Sequence, residues 1–440
     1  MIVSPAFRGK RYAVLGLARS GAATVRALLA SGAEVTAWDT DEAKRAPFAA
    51  DVILADPLEI DLAEFDGVVV SPGVPLNRHP IAAKARDAGV PVIGDIELFA
   101  QARADLPPHK VVGITGTNGK STTTALIHHI LATAGVPATL GGNIGLPILG
   151  QDPLPEGGVY VLELSSYQID LTQSLDCDVA VLLNITPDHL DRYDGFAGYA
   201  ASKARLFEMM RGGTAIIGMG DEASRQIAAD LHQPRLREMN CVFELVRITG
   251  DEPLDQSAWP TLQGPHNAQN AAAAIAAARA LGLDDAVIDA GLRTYPGLPH
   301  RMERVAEKND VLYVNDSKAT NATSTAPALA AFPPADGSAA RIRWILGGLA
   351  KTDDLDACAP FFGNVRAAYT IGEAGPMFAR LLRPHMPVCE CKTLENAVAK
   401  AAAAAQPGEV VMLSPACASF DQFTDFEARG AAFRAAVGGI

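Results

Sequence analysis

No stretch limits the folds open to this chain as tightly as residues 111–121, VVGITGTNGKS. Val111, Val112 and Ile114, with small residues between them, read as a short buried strand that runs into a glycine-rich turn. Ser121 and the threonines after it then open a helix that ends near Gly135. A strand, a glycine turn and a helix N-terminus together form a phosphate cradle. Backbone N–H groups converge on one spot, the helix dipole adds partial positive charge, and Lys120 supplies a full one. The Ser121 hydroxyl is placed to meet a magnesium ion bridging the phosphates. The spacing departs from the common P-loop, which asks for a glycine where this chain has Ile114. A tight turn with a solvated lysine is the plainer alternative. The stretch nonetheless reads as a nucleoside triphosphate site.

At 440 residues the chain exceeds one ordinary core, and roughly two to four domains are expected. A hydrophobic content of 49% with 20% charged residues describes a packed globule, not a disordered chain. Thirty-seven basic against 50 acidic residues give a net charge of −13. That balance argues against a general nucleic-acid or membrane-surface partner, so any polyanion must meet locally concentrated cations. The six cysteines show no zinc spacing, and Cys389-Glu390-Cys391 is too tight for the common pairings. They read as reduced thiols of a cytoplasmic protein. Neither a signal-type apolar run nor a stretch of membrane-span length is present in the sequence.

The first hundred residues carry half of a dinucleotide fingerprint. A strand over 12–17 leads through Gly16 and Gly21 into a helix over 22–31, and a second strand over 34–38 ends in Asp39. The middle glycine, which admits a pyrophosphate, is replaced by Ala18, so a nucleotide other than NAD, or none, is expected. A strand over 66–70 ends in Ser71-Pro72-Gly73, at the carboxyl edge where open α/β sheets bind ligands. Residues 92–93 close this unit, and Leu106-Pro107-Pro108 reads as a linker.

In the middle of the chain a strand over 159–164 carries Glu163. A buried carboxylate is costly unless paired or metal-bound, and beside a phosphate loop the natural partner is magnesium. A strand-end glutamate facing water is the alternative. The strand over 178–183 ends in NITPDHLDR, where Asp188 is equally a helix cap and His189 equally structural or functional. Lys203, in a helix over 196–210, reads as an ordinary surface lysine. Residues 265–270, PHNAQN, open an alanine-rich helix over 271–281. Asn267 and Asn270 share one of its faces and either present amides to a flat base or cap the helix.

Gly297-Leu298-Pro299-His300-Arg301 marks a second boundary. Strands over 311–314, 343–346 and 410–413 each end in small polar residues, and helices are expected over 355–361, 376–382 and 394–405. The alternation predicts a third, parallel α/β domain with a pocket for a small anionic ligand.

GTNGKS, ELSS, NITPDHLDR, a downstream lysine helix, HNAQN, LPHR, NDSKATN, GG-x-x-K and SPACASFDQF follow one another in this order. In this the chain resembles the Mur ligase family across all three domains, and its last motifs resemble the D-glutamate-adding branch. Folylpolyglutamate synthetases share GTNGK but not NDSKATN or SPACASFDQF. The resemblance implies an α/β fold of three domains: a Rossmann-like UDP-substrate domain over 1–107, an ATP-binding catalytic domain with a P-loop-type mononucleotide-binding sheet over 108–299, and a Rossmann-like α/β amino-acid domain over 300–440. It implies an ATP-dependent amide ligase of peptidoglycan precursor synthesis. Its partners would be UDP-N-acetylmuramoyl-L-alanine, D-glutamate and ATP, and it would act as a cytoplasmic monomer without nucleic acid or membrane. The γ-phosphoryl group would convert the alanine carboxylate into an acyl phosphate, which the amine of glutamate then attacks.

By the same resemblance, Gly116, Thr117, Asn118, Gly119, Lys120, Ser121 and Thr122 would hold the phosphates. Asn270, Arg301 and Asp316 would surround adenine and ribose. Two magnesium ions would lie among Ser121, Glu163, His189 and Lys203, the last carried as an N6-carboxylated (carbamate) side chain. That implication reverses the surface reading of Lys203. Asn143 would touch the acyl-phosphate region. Ser20, Asp39, Thr40, Ser71, Pro72 and Gly73 would form the UDP edge. Thr320, Lys351, Ser419 and the backbone near Phe426 would bind glutamate. Arg19, where an apolar residue is usual, and LAKTDD around Lys351 depart from the family pattern. A ligase for another amino acid, or one polyglutamylating a pterin, is a related alternative. A non-catalytic nucleotide switch is disfavoured, because it needs no Glu163, His189 and Lys203 together. An oxidoreductase is disfavoured by Ala18 and the triphosphate loop.

Overall fold

Short apolar strands alternating with helices build three sheets, described by a computed structural model over residues 1–231, 242–249, 254–334 and 339–440. The first contains β1 (Arg11–Leu15), β2 (Glu34–Trp38), β3 (Ile53–Leu54), β4 (Gly67–Val70) and β5 (Val92–Ile93), in the order β3-β2-β1-β4-β5. All its pairings are parallel. β4 is buried along its whole length, as expected of a strand covered on both faces. The strand order reverses between β1 and β4, so the Gly16 turn and Ser71 meet at the switch point.

The second sheet comprises β6 (His109–Thr115), β7 (Ala138–Gly142), β8 (Gly158–Glu163), β9 (Val179–Leu182), β10 (Gly212–Gly218) and β11 (Val242–Ile248). It is parallel throughout, in the order β11-β10-β9-β6-β8-β7. Its order reverses at β6, which delivers the phosphate loop to the crevice where such sheets bind ligands.

The third sheet holds β12 (Glu303–Lys308), β13 (Val311–Asn315), β14 (Ile342–Gly347), β15 (Val365–Ile371), β16 (Val388–Lys392) and β17 (Val410–Leu413), ordered β12-β13-β17-β14-β15-β16. The expectation of a wholly parallel third domain is corrected here, because β12 is an antiparallel edge strand. Asn309 and Asp310 make the hairpin: both have positive φ (53° and 62°), as a two-residue turn matched to strand twist demands. A second correction concerns the helix expected over 355–361. It is a 3-10 segment, Asp356–Asn364, with Pro360 inside it, where an α-helical hydrogen bond would be lost. The PHNAQN motif does not precede its helix but forms its first turns, Pro265–Ala280, with proline at the tolerated first position.

The chain packs as two compact units, Met1–Pro253 with Gln269–Leu292, and Leu254–Ala268 with Arg293–Ile440. The first unit holds two of the sheets over a shared core running from Phe7 and Tyr12 to Leu162 and Leu182. Glu97 seals their junction: its buried carboxylate accepts from the N–H groups of Gln173 (2.7 Å) and Ser174 (2.9 Å). Among the described residues, no helix is long and apolar enough to cross a membrane.

Candidate active site

The turn after β6 is held both by a neighbouring strand end and by its own side chains. The Thr117 and Asn118 N–H groups donate to Asn184 at the end of β9, through its carbonyl (2.8 Å) and its Oδ1 (2.9 Å). Gly119 has φ 85°, and a Cβ there would lie 2.3 Å from Asn270 Oδ1. Glycine is therefore required on both counts. The helix Lys120–Thr133 starts immediately afterwards, with Ser121 buried in its first turn and Thr122 half-buried beside it. Lys120 folds back over its own loop, its Nζ donating to the carbonyls of Gly116 (2.8 Å) and Thr117 (2.9 Å).

Lys203 is 1% exposed, which corrects the surface-lysine reading. Its helix, Gly195–Glu208, buries Tyr199, Ser202, Lys203, Leu206 and Phe207, one stripe at helical spacing. Lys203 Nζ donates to the Gly116 carbonyl at 3.0 Å and to Thr115 Oγ1 at 3.4 Å, and lies 4.6 Å above the Tyr199 ring. Two ammonium groups thus share one carbonyl oxygen. Desolvation, with Lys120 as the next cause, pulls the Lys203 amine down to about 7.

Glu163 ends β8 next to the loop, paired with Ile114, and is 1% exposed. Its Oε1 accepts from Asn143 Nδ2 at 2.7 Å, and Asn143 N–H donates to the Glu163 carbonyl at 2.8 Å. Oε2 has no hydrogen-bond partner. A buried carboxylate oxygen left open costs on the order of 1–3 kcal/mol or more. It fits a cation that takes one protein carboxylate and otherwise phosphate and water oxygens, as magnesium does. No group of three His, Cys, Asp or Glu side chains poised for a metal occurs among the described residues. His189 is half exposed, at φ 52°, with its Nε2 3.4 Å from Asp188 and its ring 5.2 Å from that of Tyr167.

In the first sheet, Gly16 (φ 93°) lets Ser71 approach, and Ser71 Oγ donates to its carbonyl at 3.0 Å. Asp39 closes the same turn, accepting from Leu17 N–H (2.8 Å) and Asp41 N–H (3.0 Å). Burial works to raise its carboxyl, but the Asp41 and Leu17 N–H groups and Lys44 outweigh it and hold the group low. Ser20 lines a small crevice there with Ser71, Pro72 and the buried Asp95, while Thr40 and Gly73 are exposed.

In the second unit the ends of β13, β14 and β17 converge on Arg429, a residue the sequence reading passed over. Arg429 is 1% exposed, and it donates to the carbonyls of Ser317, Gly347, Cys417 and Ala418 and to Ser317 Oγ. Ser419 is buried beside them, and Ser317 Oγ donates to the Phe426 carbonyl at 2.8 Å. Thr320 is half-buried and Lys351 is exposed. Asp316, close to Arg301, is fully buried, and burial pushes its carboxyl up to about 7. Tyr199 and Arg192 were also missed. Tyr199 OH lies 3.2 Å from Thr117 Oγ1, and Arg192 donates to the Val74 carbonyl at 3.0 Å, tying the turn after β4 to the catalytic sheet.

A phosphate loop at the switch point of one parallel sheet, with α/β domains before and after it, defines a nucleotide-dependent enzyme of three domains. Family profiles match in chain order: the Mur ligase MurD-like N-terminal domain over 10–94, the Mur ligase middle domain over 114–278, and the Mur ligase glutamate ligase domain over 300–417. Two curated relatives carry the name UDP-N-acetylmuramoylalanine–D-glutamate ligase. That of Novosphingobium aromaticivorans is 67% identical over 99% of this chain and 96% of its own. That of Sphingopyxis alaskensis is 64% identical over 99% of both. Among solved structures, MurF from Acinetobacter baumannii superposes with a TM-score of 0.60 at 19% identity, covering 92% of this chain and 91% of that one. UDP-N-acetylmuramate–alanine ligase from Thermotoga maritima gives 0.57 at 16% identity, over 98% and 99%. Both show the shared fold. The chain belongs to the Mur ligase family, within its UDP-N-acetylmuramoylalanine–D-glutamate ligases.

Proposed function

We propose that the chain joins D-glutamate to UDP-N-acetylmuramoyl-L-alanine at the expense of ATP, in cytoplasmic assembly of peptidoglycan precursors. It acts as a monomer on small molecules, with neither nucleic acid nor membrane as partner. Relatives bearing that name along nearly the whole chain support the reading. Residues 1–107 bind the UDP substrate through Ser20, Asp39, Thr40 and the Ser71-Pro72-Gly73 turn. Residues 108–299 carry the chemistry, and residues 300–440 bind the amino acid.

A carboxylate is a poor electrophile, because direct attack would have to expel oxide. In the first step an oxygen of the alanine carboxylate attacks the γ-phosphorus, and ADP leaves with the electrons of the broken bond. In the second, the neutral amine of glutamate adds to the acyl phosphate, phosphate is expelled, and the amine's proton goes to solvent. Such phosphoryl transfer depends chiefly on positioning and on neutralising charge. Lys120 and the turn Gly116–Thr122 hold the phosphates, and Asn143 orients the acyl phosphate. Asn270, Arg301 and Asp316 take the adenosine. Thr320, Lys351, Ser419 and the Phe426 backbone take the glutamate carboxylates.

The family uses ATP with Mg²⁺. Ser121, Glu163, His189 and Lys203 would hold two such ions, which supply neutralisation of the phosphate oxygens. One observation carries the catalytic assignment: Lys203 shares the Gly116 carbonyl with Lys120 inside the protein. A cation there would repel both Lys120 and Mg²⁺. A buried amine brought down to about 7 is neutral in a substantial fraction at physiological pH and can add carbon dioxide, releasing one proton and becoming a metal-binding anion. The test is ADP release on mixing ATP, Mg²⁺, UDP-N-acetylmuramoyl-L-alanine and each enantiomer of glutamate. ADP formed only with D-glutamate is the expected result; none with either overturns the assignment.

A further inference from the structure

β16 carries a feature that the ligase reaction does not use. Cys389 and Cys391, separated by one residue, point the same way along the strand, with their sulfurs 3.7 Å apart. Cys391 is buried and sits in a bulge: Thr370 pairs with Glu390 and Ile371 with Lys392, so Cys391 faces no partner residue. Cys389 is the only described cysteine that is not buried. Lys400 Nζ donates to its sulfur at 3.6 Å. Cys389 also lines a cavity of about 470 Å³ with Arg343, Arg366, Tyr369 and Val388. Cys177, Cys358 and Cys417, by contrast, are sealed in the interior, where burial drives each thiol up to about 12.

We propose that Cys389 and Cys391 form a reversible redox site that takes low-molecular-weight disulfides bearing carboxylates and closes to an intrachain disulfide. The Cys389 thiolate attacks one sulfur of the small disulfide, which expels one small thiolate and leaves a mixed disulfide on Cys389. Cys391 loses its proton and attacks Cys389 Sγ, expelling the second. The protein thiols lose two electrons and two protons, and the small disulfide gains them as two thiols. Arg366 and Lys400 supply charge for the reagent's carboxylates, and the cavity gives it access. Burial keeps Cys391 protonated, which assigns the first attack to Cys389.

The site is wired to the loops assigned to glutamate. Lys392, next to Cys391 and held at φ 67°, presents its carbonyl to Gly372 N–H and Gln422 Nε2, each at 2.9 Å. Gln422 N–H in turn donates to the Ser419 carbonyl, and Ala374 N–H to that of Gly348. Drawing two sulfurs from 3.7 Å to bonding distance reshapes the bulge and shifts the Lys392 carbonyl. This part rests on the glutamate assignment above.

The experiment exposes the full chain to oxidised glutathione, alkylates it under denaturing conditions and weighs the tryptic peptide 381–392. A peptide two hydrogens lighter and unalkylated is expected. KM for D-glutamate should rise about fivefold or more with KM for ATP unchanged, and dithiothreitol should reverse both changes. Cys389→Ser and Cys391→Ser should each abolish the response. Full alkylation of both thiols, or a stable mixed disulfide on Cys389 with Cys391 alkylated, overturns the site. A disulfide formed without change in that KM overturns the coupling. An untreated protein that makes no product with D-glutamate defeats the ligase assignment instead, and the mass readout stands apart from it.

Discussion

Each compact unit holds a long cation only 1% exposed, Lys203 in the first and Arg429 in the second, and the two are treated in opposite ways. Arg429 is satisfied: all five of its hydrogen bonds run to neutral oxygens, and burial lowers its guanidinium only to about 10. It stays charged and ties three strand ends together. Lys203 has two acceptors, at 3.0 and 3.4 Å, one of which it shares with Lys120, and its amine falls to about 7. The planar fork of arginine saturates a ring of carbonyls. A lysine in a site short of acceptors is poised to lose its proton and become something else. The difference separates a cation that serves as a strut from an amine held ready for modification.

The largest expected effects fall on the lysine side. Lys120→Ala removes the charge facing the γ-phosphate and should lower kcat by about 10²–10³-fold or more, the scale of losing one preorganised electrostatic contact. A coupled ADP assay reads it, and near-normal turnover would remove the loop from the phosphate site. The same variant relieves the repulsion on Lys203, whose amine should then titrate higher. Less carbamate should form at a fixed pH, as a weaker carbamate signal after equilibration with ¹³C-labelled bicarbonate. Lys203→Ala should be as inactive as Lys120→Ala but regain part of its rate with a small carboxylate such as acetate. Full activity without rescue would end the carbamate assignment.

Next in size is Arg429→Met, which strands a ring of buried carbonyls. It should cost about 3–5 kcal/mol in denaturant unfolding, the range for breaking a buried charged network. Arg429→Lys should restore only part of that, because an ammonium cannot reach five acceptors at once. A fully stable Arg429→Lys protein would make the two cations interchangeable and erase the contrast.

Both cations were legible in the sequence; Arg429 was passed over, and Lys203 was read as a surface residue until the family resemblance reversed it, for one reason. Tyr199, Lys203 and Leu206-Phe207 recur at helical spacing on the buried side of their helix, as do Arg429, Phe433 and Val437 on theirs. A charged residue on an apolar stripe was averaged away by its class instead of being located by its face. The phosphate loop, the strands carrying Glu163 and Asp316, and the polar strand ends were readable because local rules govern them: a glycine turn, a buried run, a carboxyl edge. The antiparallel β12 was lost although Asn309-Asp310 spells a hairpin turn. What local patterning does not reveal is which distant residues meet. Asn270 packing on Gly119, or Asn184 pinning the loop, depends on strand order.

The last expected effect, confined to one pH window, concerns Asp316, the acidic neighbour of the Arg429 cluster. Its oxygens accept from Ser414 Oγ (2.7 Å) and Met302 N–H (3.2 Å), yet burial outweighs both of these and Arg301, and the carboxyl rises to about 7. The unfolded chain releases this proton near pH 3.8 and the folded one near 7, so between those values the folded state holds more protons. Raising the pH across that window therefore weakens folding, and above it the penalty is constant. Asp316→Asn carries no proton to lose. Its urea midpoint relative to the parent should climb from pH 4 to pH 7 and then level off. Parallel profiles for the two proteins would mean that Asp316 is ionised throughout.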